Sequence, residues 1–112
     1  MKHSLLVVAL LTLAFFASPA VAQVSESYTE VSATAVNTST TFGFVARYVR
    51  ITNDGANEVF VLLSSTGAAT ATTAGMELKS GETQGYANVA IKSVGLICSA
   101  AETATVRLYA VR

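Results

Sequence analysis

The stretch FGFVARYVRITN, residues 42–53, decides the fold class of this chain. Apolar and polar residues alternate along it, and β-branched and aromatic residues are frequent, which together predict a β-strand. One face of this strand is expected to hold Val45, Val49 and Ile51. The opposite face is expected to hold Phe44, Tyr48 and Arg50. Because Arg47 has the parity of the apolar set, it either lies near a sheet edge or marks a β-bulge.

A turn and a second strand follow directly. Residues 53–57, NDGAN, combine Asn and Asp, which bond to their own backbone, with a glycine that permits positive φ. Residues 58–64, EVFVLLS, alternate again, and their apolar face is expected to hold Val59, Val61 and Leu63. The two strands and the turn together predict a hairpin.

The next segment, residues 65–75, is small, uncharged and low in complexity (STGAATATTAG). It offers no bulky side chain to bury, so we expect an exposed loop or a mobile flap. The segment is a candidate contact site, although a passive connector is the simpler interpretation.

Further short strands are expected towards the C-terminus. Residues 76–78 and 83–86 fit short strands on either side of a turn. The apolar parity then changes near Ser93, which predicts a turn or bulge between two short strands. Residues 104–111 form the last predicted strand, with Val106, Leu108 and Ala110 on one face and Arg107 and Tyr109 on the other.

No amphipathic helix of useful length interrupts this pattern. About six to eight short strands with regular turn signals predict an all-β fold, as a small antiparallel β-sandwich (jelly-roll or immunoglobulin-like) or a small barrel. We place the β-sandwich domain at residues 42–112 and interpret residues 23–41 as an N-terminal arm or edge strand.

The first 22 residues predict a secretory signal peptide in the form of a cleaved helix. A basic start at Lys2 and His3 precedes an uncharged apolar run over residues 5–17, and Ser18-Pro19 then breaks the helix. Small residues before Gln23 predict cleavage between Ala22 and Gln23. We therefore expect an exported protein, periplasmic or extracellular, without a membrane span in the mature chain.

The charge of the mature chain is low and evenly spread. Removing Lys2 from the seven basic residues leaves six, against seven acidic residues, so the net charge is about −1. This balance gives no electrostatic footprint for nucleic acid and suits a protein that self-associates or binds a protein partner. The single cysteine, Cys98, cannot form an internal disulfide, which leaves a buried thiol or an intermolecular bridge. Because Cys98 ends the apolar stretch 94–98, we expect the buried thiol.

Few residues for catalysis remain after cleavage. The only histidine, His3, is lost, and the mature chain keeps one Asp and one Cys, so neither a Ser-His-Asp triad nor a Cys/His zinc site can form. Oxygen ligands for calcium gather in one turn: Asn53, Asp54, Asn57 and Glu58. A plain hairpin turn is the simpler interpretation, and we expect no enzyme activity, no metal and no cofactor.

The candidate binding residues are aromatic and basic side chains on predicted polar strand faces: Tyr48, Arg50, Arg107 and Tyr109. Such a face can form a protein interface or stack on a sugar. An ordinary half-exposed sheet face is the alternative.

Four stretches in their order resemble small β-sandwich proteins among the virion-associated structural proteins of tailed phages: RYVRITN (47–53), EVFV (58–61), LKSGE (78–82) and ATVRLYA (104–110). The resemblance covers residues 46–112 and implies a domain that decorates or cements a particle without catalysis. The predicted signal peptide departs from that pattern. Residues 46–51, ARYVRI, also resemble a strand of discoidin-like modules, which bind carbohydrate or lipid, but the tryptophans usual there are absent.

Two functional hypotheses follow. The first is an exported, non-catalytic structural or assembly subunit that works by surface contact or self-association. The second is a small carbohydrate-binding module whose partner is a glycan.

Overall fold

The computed structural model describes residues 26–112, and this part of the chain is all-β and contains no helix. The predicted signal peptide lies outside the described residues. The strands are β1 (Glu26–Ala33), β2 (Thr38–Asn53), β3 (Val59–Ser64), β4 (Met76–Leu78), β5 (Thr83–Ile97) and β6 (Ala104–Val111). The all-β prediction is confirmed. Within residues 26–112, no helix is long and apolar enough to cross a bilayer.

The six strands hydrogen-bond into one antiparallel sheet, in the order β1-β6-β2-β5-β3-β4. The sheet is curled, and its ladder is continuous rather than split into two separate sheets. Strand β1 lies at one edge, next to β6, and β2 already begins at Thr38. Residues 38–41 therefore belong to the same strand as residues 46–53.

Irregular pairing between the two longest strands allows the sheet to bend. From the pair Thr41↔Ser93 to the pair Ala46↔Ile91, β2 advances five residues and β5 only two. From there to Tyr48↔Ala87, β5 advances four residues and β2 two. Extra residues on one strand bend it and increase its twist. The prediction of two short strands that meet near Ser93 is wrong, because β5 runs as one strand from Thr83 to Ile97 and the extra residues opposite Ser93 belong to β2. The extra residues of β5 lie between Ala87 and Ile91, where Asn88 has a φ of 58°.

The bulges also correct the predicted faces of β2. Val45 was expected to face the core but is 45% exposed, whereas Phe44, expected on the other face, is only 6% exposed. The parity of the strand changes across the irregular segment, so a single alternation cannot describe both halves. Beyond it, Val49 and Ile51 are buried as predicted, and the register shift beside Arg47 agrees with the bulge interpretation.

One hydrophobic core joins all six strands. It includes Val31 from edge strand β1 and Leu78 from edge strand β4, together with Val49 from the centre of the sheet. Residues from both edges can share one core only because the sheet curls over it. Cys98 is buried in the same core as a free thiol, as expected.

The segment 65–75 is mostly exposed, as predicted, but two of its alanines are buried. Ala69 and Ala71 are 2% and 3% exposed. The Asn37 side chain donates to the carbonyl of Ala69 (3.2 Å) and accepts from the amide of Ala71 (2.7 Å). The hydroxyl of Ser93 accepts from the amide of Ala69 at 3.1 Å. Small side chains let this loop pack closely on β5, which the lack of a bulky anchor did not suggest.

Candidate functional site

The outer face of β1, β6, β2 and β5 brings the candidate residues together. The register places Tyr28, Tyr109, Arg50 and Gly85 in one row across these four strands. The next row holds Glu30, Arg107, Thr52 and Thr83. We call this surface the Tyr/Arg face, because Tyr28, Tyr109, Arg50 and Arg107 lie next to one another on it.

The two tyrosine rings and one guanidinium form a stacked group. The rings of Tyr28 and Tyr109 meet edge to face, with centroids 6.0 Å apart. The guanidinium carbon of Arg50 lies 5.0 Å from the centroid of the Tyr109 ring. A cation over a ring face is attracted by the ring quadrupole, so Tyr109 positions the Arg50 head group.

Arg107 is held by a carboxylate from the turn after β2. Its Nε and Nη2 donate to the two carboxylate oxygens of Asp54, and its Nη1 donates to the Tyr28 hydroxyl at 3.0 Å. The hydrogen bonds to Asp54 and Tyr28 hold the pKa of Arg107 above its ordinary value. Both partners of the ion pair are partly exposed, so its main effect is to fix the guanidinium in place rather than to stabilise the fold.

The hydroxyl of Tyr109 donates to the carboxylate of Glu26 at the start of β1. This hydrogen bond is the main reason that the pKa of Tyr109 is raised, with desolvation as the second cause. The contact ties the start of β1 to β6 and leaves the ring face of Tyr109 to Arg50.

An open pocket of about 230 Å³ lies in this face, and Tyr28, Arg50, Thr52, Thr83, Arg107 and Tyr109 line it. The hydroxyls of Thr52 and Thr83 are 3.0 Å apart across β2 and β5. The lining thus offers guanidinium donors, hydroxyls that donate or accept, and one widely exposed ring, since Tyr28 is 60% exposed.

Three of the four predicted site residues line this pocket: Arg50, Arg107 and Tyr109. Tyr48 does not, although it lies one row away on the same face. The hydroxyl end of the Tyr48 ring lies over Gly85, where a side chain would have its Cβ only 2.9 Å from that hydroxyl.

Sequence reasoning did not assign Tyr28, Thr52 and Thr83 to the site. Thr52 has the same parity as Arg50 on β2, and that signal could have indicated it. Tyr28 and Thr83 come to the site only because β1 pairs with β6 and β5 pairs with β2. No local sequence pattern predicts these pairings.

Two of the residues considered as calcium ligands, Asn53 and Asp54, make other contacts. The Asn53 amide donates to the carbonyls of Asn57 and Leu78, and its oxygen accepts from the amide of Gly55. Asp54 binds Arg107. Within residues 26–112, no three His, Cys, Asp or Glu side chains are grouped to hold a metal ion. The turn interpretation therefore explains these residues.

Comparison with protein-family models, curated proteins and solved structures gave no match to this chain.

Proposed function

We propose that this protein is exported and acts without catalysis, through contact of its surface with a partner or with copies of itself. The Tyr/Arg face is the observation that supports this most. Tyr and Arg are enriched among the residues that dominate binding energy at protein interfaces. In this protein Asp54 restricts Arg107, Glu26 restricts Tyr109, and the Tyr109 ring contacts Arg50. Less side-chain freedom would therefore be lost on binding.

The edge position of β1 supports self-association. Within residues 26–112, β1 pairs only with β6, so the backbone groups on its other side are available to an added strand. The proposal includes a two-layer architecture in which the β1-β6 and β3-β4 ends of the curled sheet face each other across the core. Such a small β-sandwich fits the resemblance of residues 46–112 to virion-associated structural proteins.

The assembly proposal is tested by light scattering on the protein produced from the full-length sequence, across a series of concentrations. We expect a defined oligomer or polymer, and we expect Tyr28→Ala to reduce its mass. Arg47→Ala, a change on β2 outside the pocket lining, serves as the matched control. A monomer at every concentration would overturn self-association.

The export proposal has a separate test. Mass spectrometry of protein recovered outside the cytoplasm should show an N-terminus at Gln23, because the small residues before it fit the cleavage site. Recovery of only the uncleaved chain, inside the cell, would contradict export.

Glycan binding is the second candidate function, and the open pocket favours it. Sugar sites combine an exposed ring with a few fixed polar groups, and this pocket offers Tyr28 beside two threonine hydroxyls and a guanidinium. Screening against a panel of neutral and acidic glycans tests it, and flat titrations throughout would exclude it.

A further inference from the structure

We propose that the pocket lined by Arg50 binds the carboxylate of a single acidic sugar unit, a uronic acid, with Arg50 as the residue that recognises the charge. The inference rests on the glycan-binding candidate above and names its ligand class.

The charges of the pocket lining favour one negative group. Arg107 is neutralised by Asp54, which it binds through two nitrogens. The side chain of Arg50 makes no hydrogen bond and no ion pair with any residue in the part of the chain that the structure describes, and its guanidinium contacts the ring of Tyr109 there. Of the two guanidinium groups in the lining, that of Arg50 therefore keeps its hydrogen-bond donors for the carboxylate of a ligand.

The geometry around Arg50 favours a carboxylate as well. The guanidinium is held over the Tyr109 ring, and that ring is fixed in turn by Glu26 and Tyr28. A planar guanidinium in a fixed position can donate two parallel hydrogen bonds to a carboxylate. The contact with the ring restricts the Arg50 side chain, which reduces the freedom lost when a ligand binds.

The rest of the lining fits a sugar ring. Thr52 and Thr83 present two hydroxyls in the row next to Arg50. The exposed ring of Tyr28 borders the same space and can stack on the apolar face of a sugar. The pocket volume of about 230 Å³ is below the ~300 Å³ at which sites for larger small molecules begin. A single ring therefore fits better than a long oligosaccharide.

The test is an NMR titration of the protein with methyl glucuronoside, with its neutral methyl ester, with methyl glucoside and with acetate. We expect saturable shifts at Arg50 and Thr83 with the uronate, and binding at least about tenfold weaker for the ester and for acetate. Arg50→Gln should weaken uronate binding by about tenfold or more, and Arg50→Lys should restore it only in part. Arg47→Gln removes the same charge from the same strand and should leave the affinity unchanged.

Each of the other outcomes overturns a particular part of the proposal. Equal binding of uronate and ester removes the carboxylate assignment while glycan binding itself stands. Equal binding of uronate and acetate removes the sugar assignment. No binding of the uronate removes this inference, while the glycan candidate is decided by the panel of neutral and acidic glycans and the assembly proposal by the scattering experiment. Melting curves of the variants show that any loss of binding is not a loss of folding.

Discussion

Asn53 is a fully buried polar side chain at the end of β2, and it joins three parts of the chain. Its amide bonds to the turn at Gly55 and Asn57 and to the carbonyl of Leu78 at the end of β4. Buried amides are stable in a core only when they are hydrogen-bonded, and no buried side-chain nitrogen or oxygen in residues 26–112 lacks a partner. Asn53 therefore fixes the turn that presents Asp54 to Arg107.

Asn53→Ala should lower the free energy of unfolding by about 2–4 kcal/mol, because it leaves the amide of Gly55 and the carbonyl of Leu78 without this partner. Urea denaturation measures the loss. Gln84→Ala, an exposed change on β5, is the control and should cost less than about 0.5 kcal/mol. A loss below roughly 1 kcal/mol for Asn53→Ala would contradict the role assigned to this amide.

The interaction between Glu58 and Glu77 should make the free energy of unfolding depend on pH. A hydrogen bond with Glu77 and repulsion from its charge are the main reasons that the pKa of Glu58 is raised above its ordinary 4.5. The folded state therefore binds this proton more tightly than the unfolded state. The resulting stability is fully present below pH 4.5 and is lost as the pH rises through the higher folded-state pKa.

Glu77→Gln should therefore raise the melting temperature at neutral pH, because it removes the repulsion, and the gain should fade at acidic pH. Melting curves of both proteins, recorded from acidic to neutral pH, measure this difference in melting temperature. Glu30→Gln on β1 makes the same change in charge and controls for the net charge of the protein. An equal gain from both variants at every pH would show that the Glu58–Glu77 pair is not its source.

At the scale of elements, the close approach of the loop 65–75 to β5 depends on Gly95. A Cβ at this position would lie 3.0 Å from the carbonyl oxygen of Ala69, from the amide nitrogen of Ala71 and from the side-chain oxygen of Asn37. Two of these atoms are backbone atoms, which cannot move aside without moving the loop. The absence of a side chain at Gly95 thus allows the loop to pack on the strand.

Gly95→Ala should push the loop away from β5 and lower the free energy of unfolding by about 1–3 kcal/mol. Hydrogen exchange at the amides of Ala69 and Ala71 should become faster, because their bonds to Ser93 and Asn37 lengthen. Gly67→Ala in the same loop is the control, since its Cβ would meet only Thr41 at an ordinary 3.8 Å. Unchanged exchange in Gly95→Ala would mean that the loop is not held as described.

At the scale of the whole molecule, one core under a curled sheet determines which groups are accessible. Cys98 lies in that core, with its Sγ 3.7 Å from the carbonyl of Ala33 on β1. Burial is the main reason that the pKa of its thiol is raised, so the reactive thiolate is scarce at neutral pH. Opening of the structure is therefore required before a reagent can reach it.

A thiol reagent should react with Cys98 in the native protein at least about a thousandfold more slowly than in denaturant. The rate follows from a time course of labelling under both conditions. A Cys98→Ala chain with Ser65→Cys in the exposed loop should react at similar rates folded and unfolded. Rapid labelling of native Cys98 would show that the core opens easily or that the thiol is exposed.

Local patterns predicted those parts of the fold that depend on neighbouring residues. The faces of β6 and of the second half of β2 agree with the alternation, because each side chain's direction follows from its place in the strand. The prediction for the first half of β2 was wrong at Val45 and Phe44, because a bulge exchanges the buried and exposed positions of the strand. The place of that bulge depends on the pairing with β5. The sequence predicted no pocket, and three of its four candidate binding residues, Arg50, Arg107 and Tyr109, lie in the lining of one.

The sequence by itself determined the β class of the fold, the turn after β2, the burial of Cys98 and the Tyr and Arg residues on polar strand faces, because all of these arise from short-range alternation and turn chemistry. Only the tertiary structure decided that β1 pairs with β6, that the sheet curls over one core and that Tyr28 reaches Arg107 across 79 residues of chain. Those contacts depend on which distant strands meet. That choice depends on apolar residues from all six strands packing into one core, and no local segment encodes it.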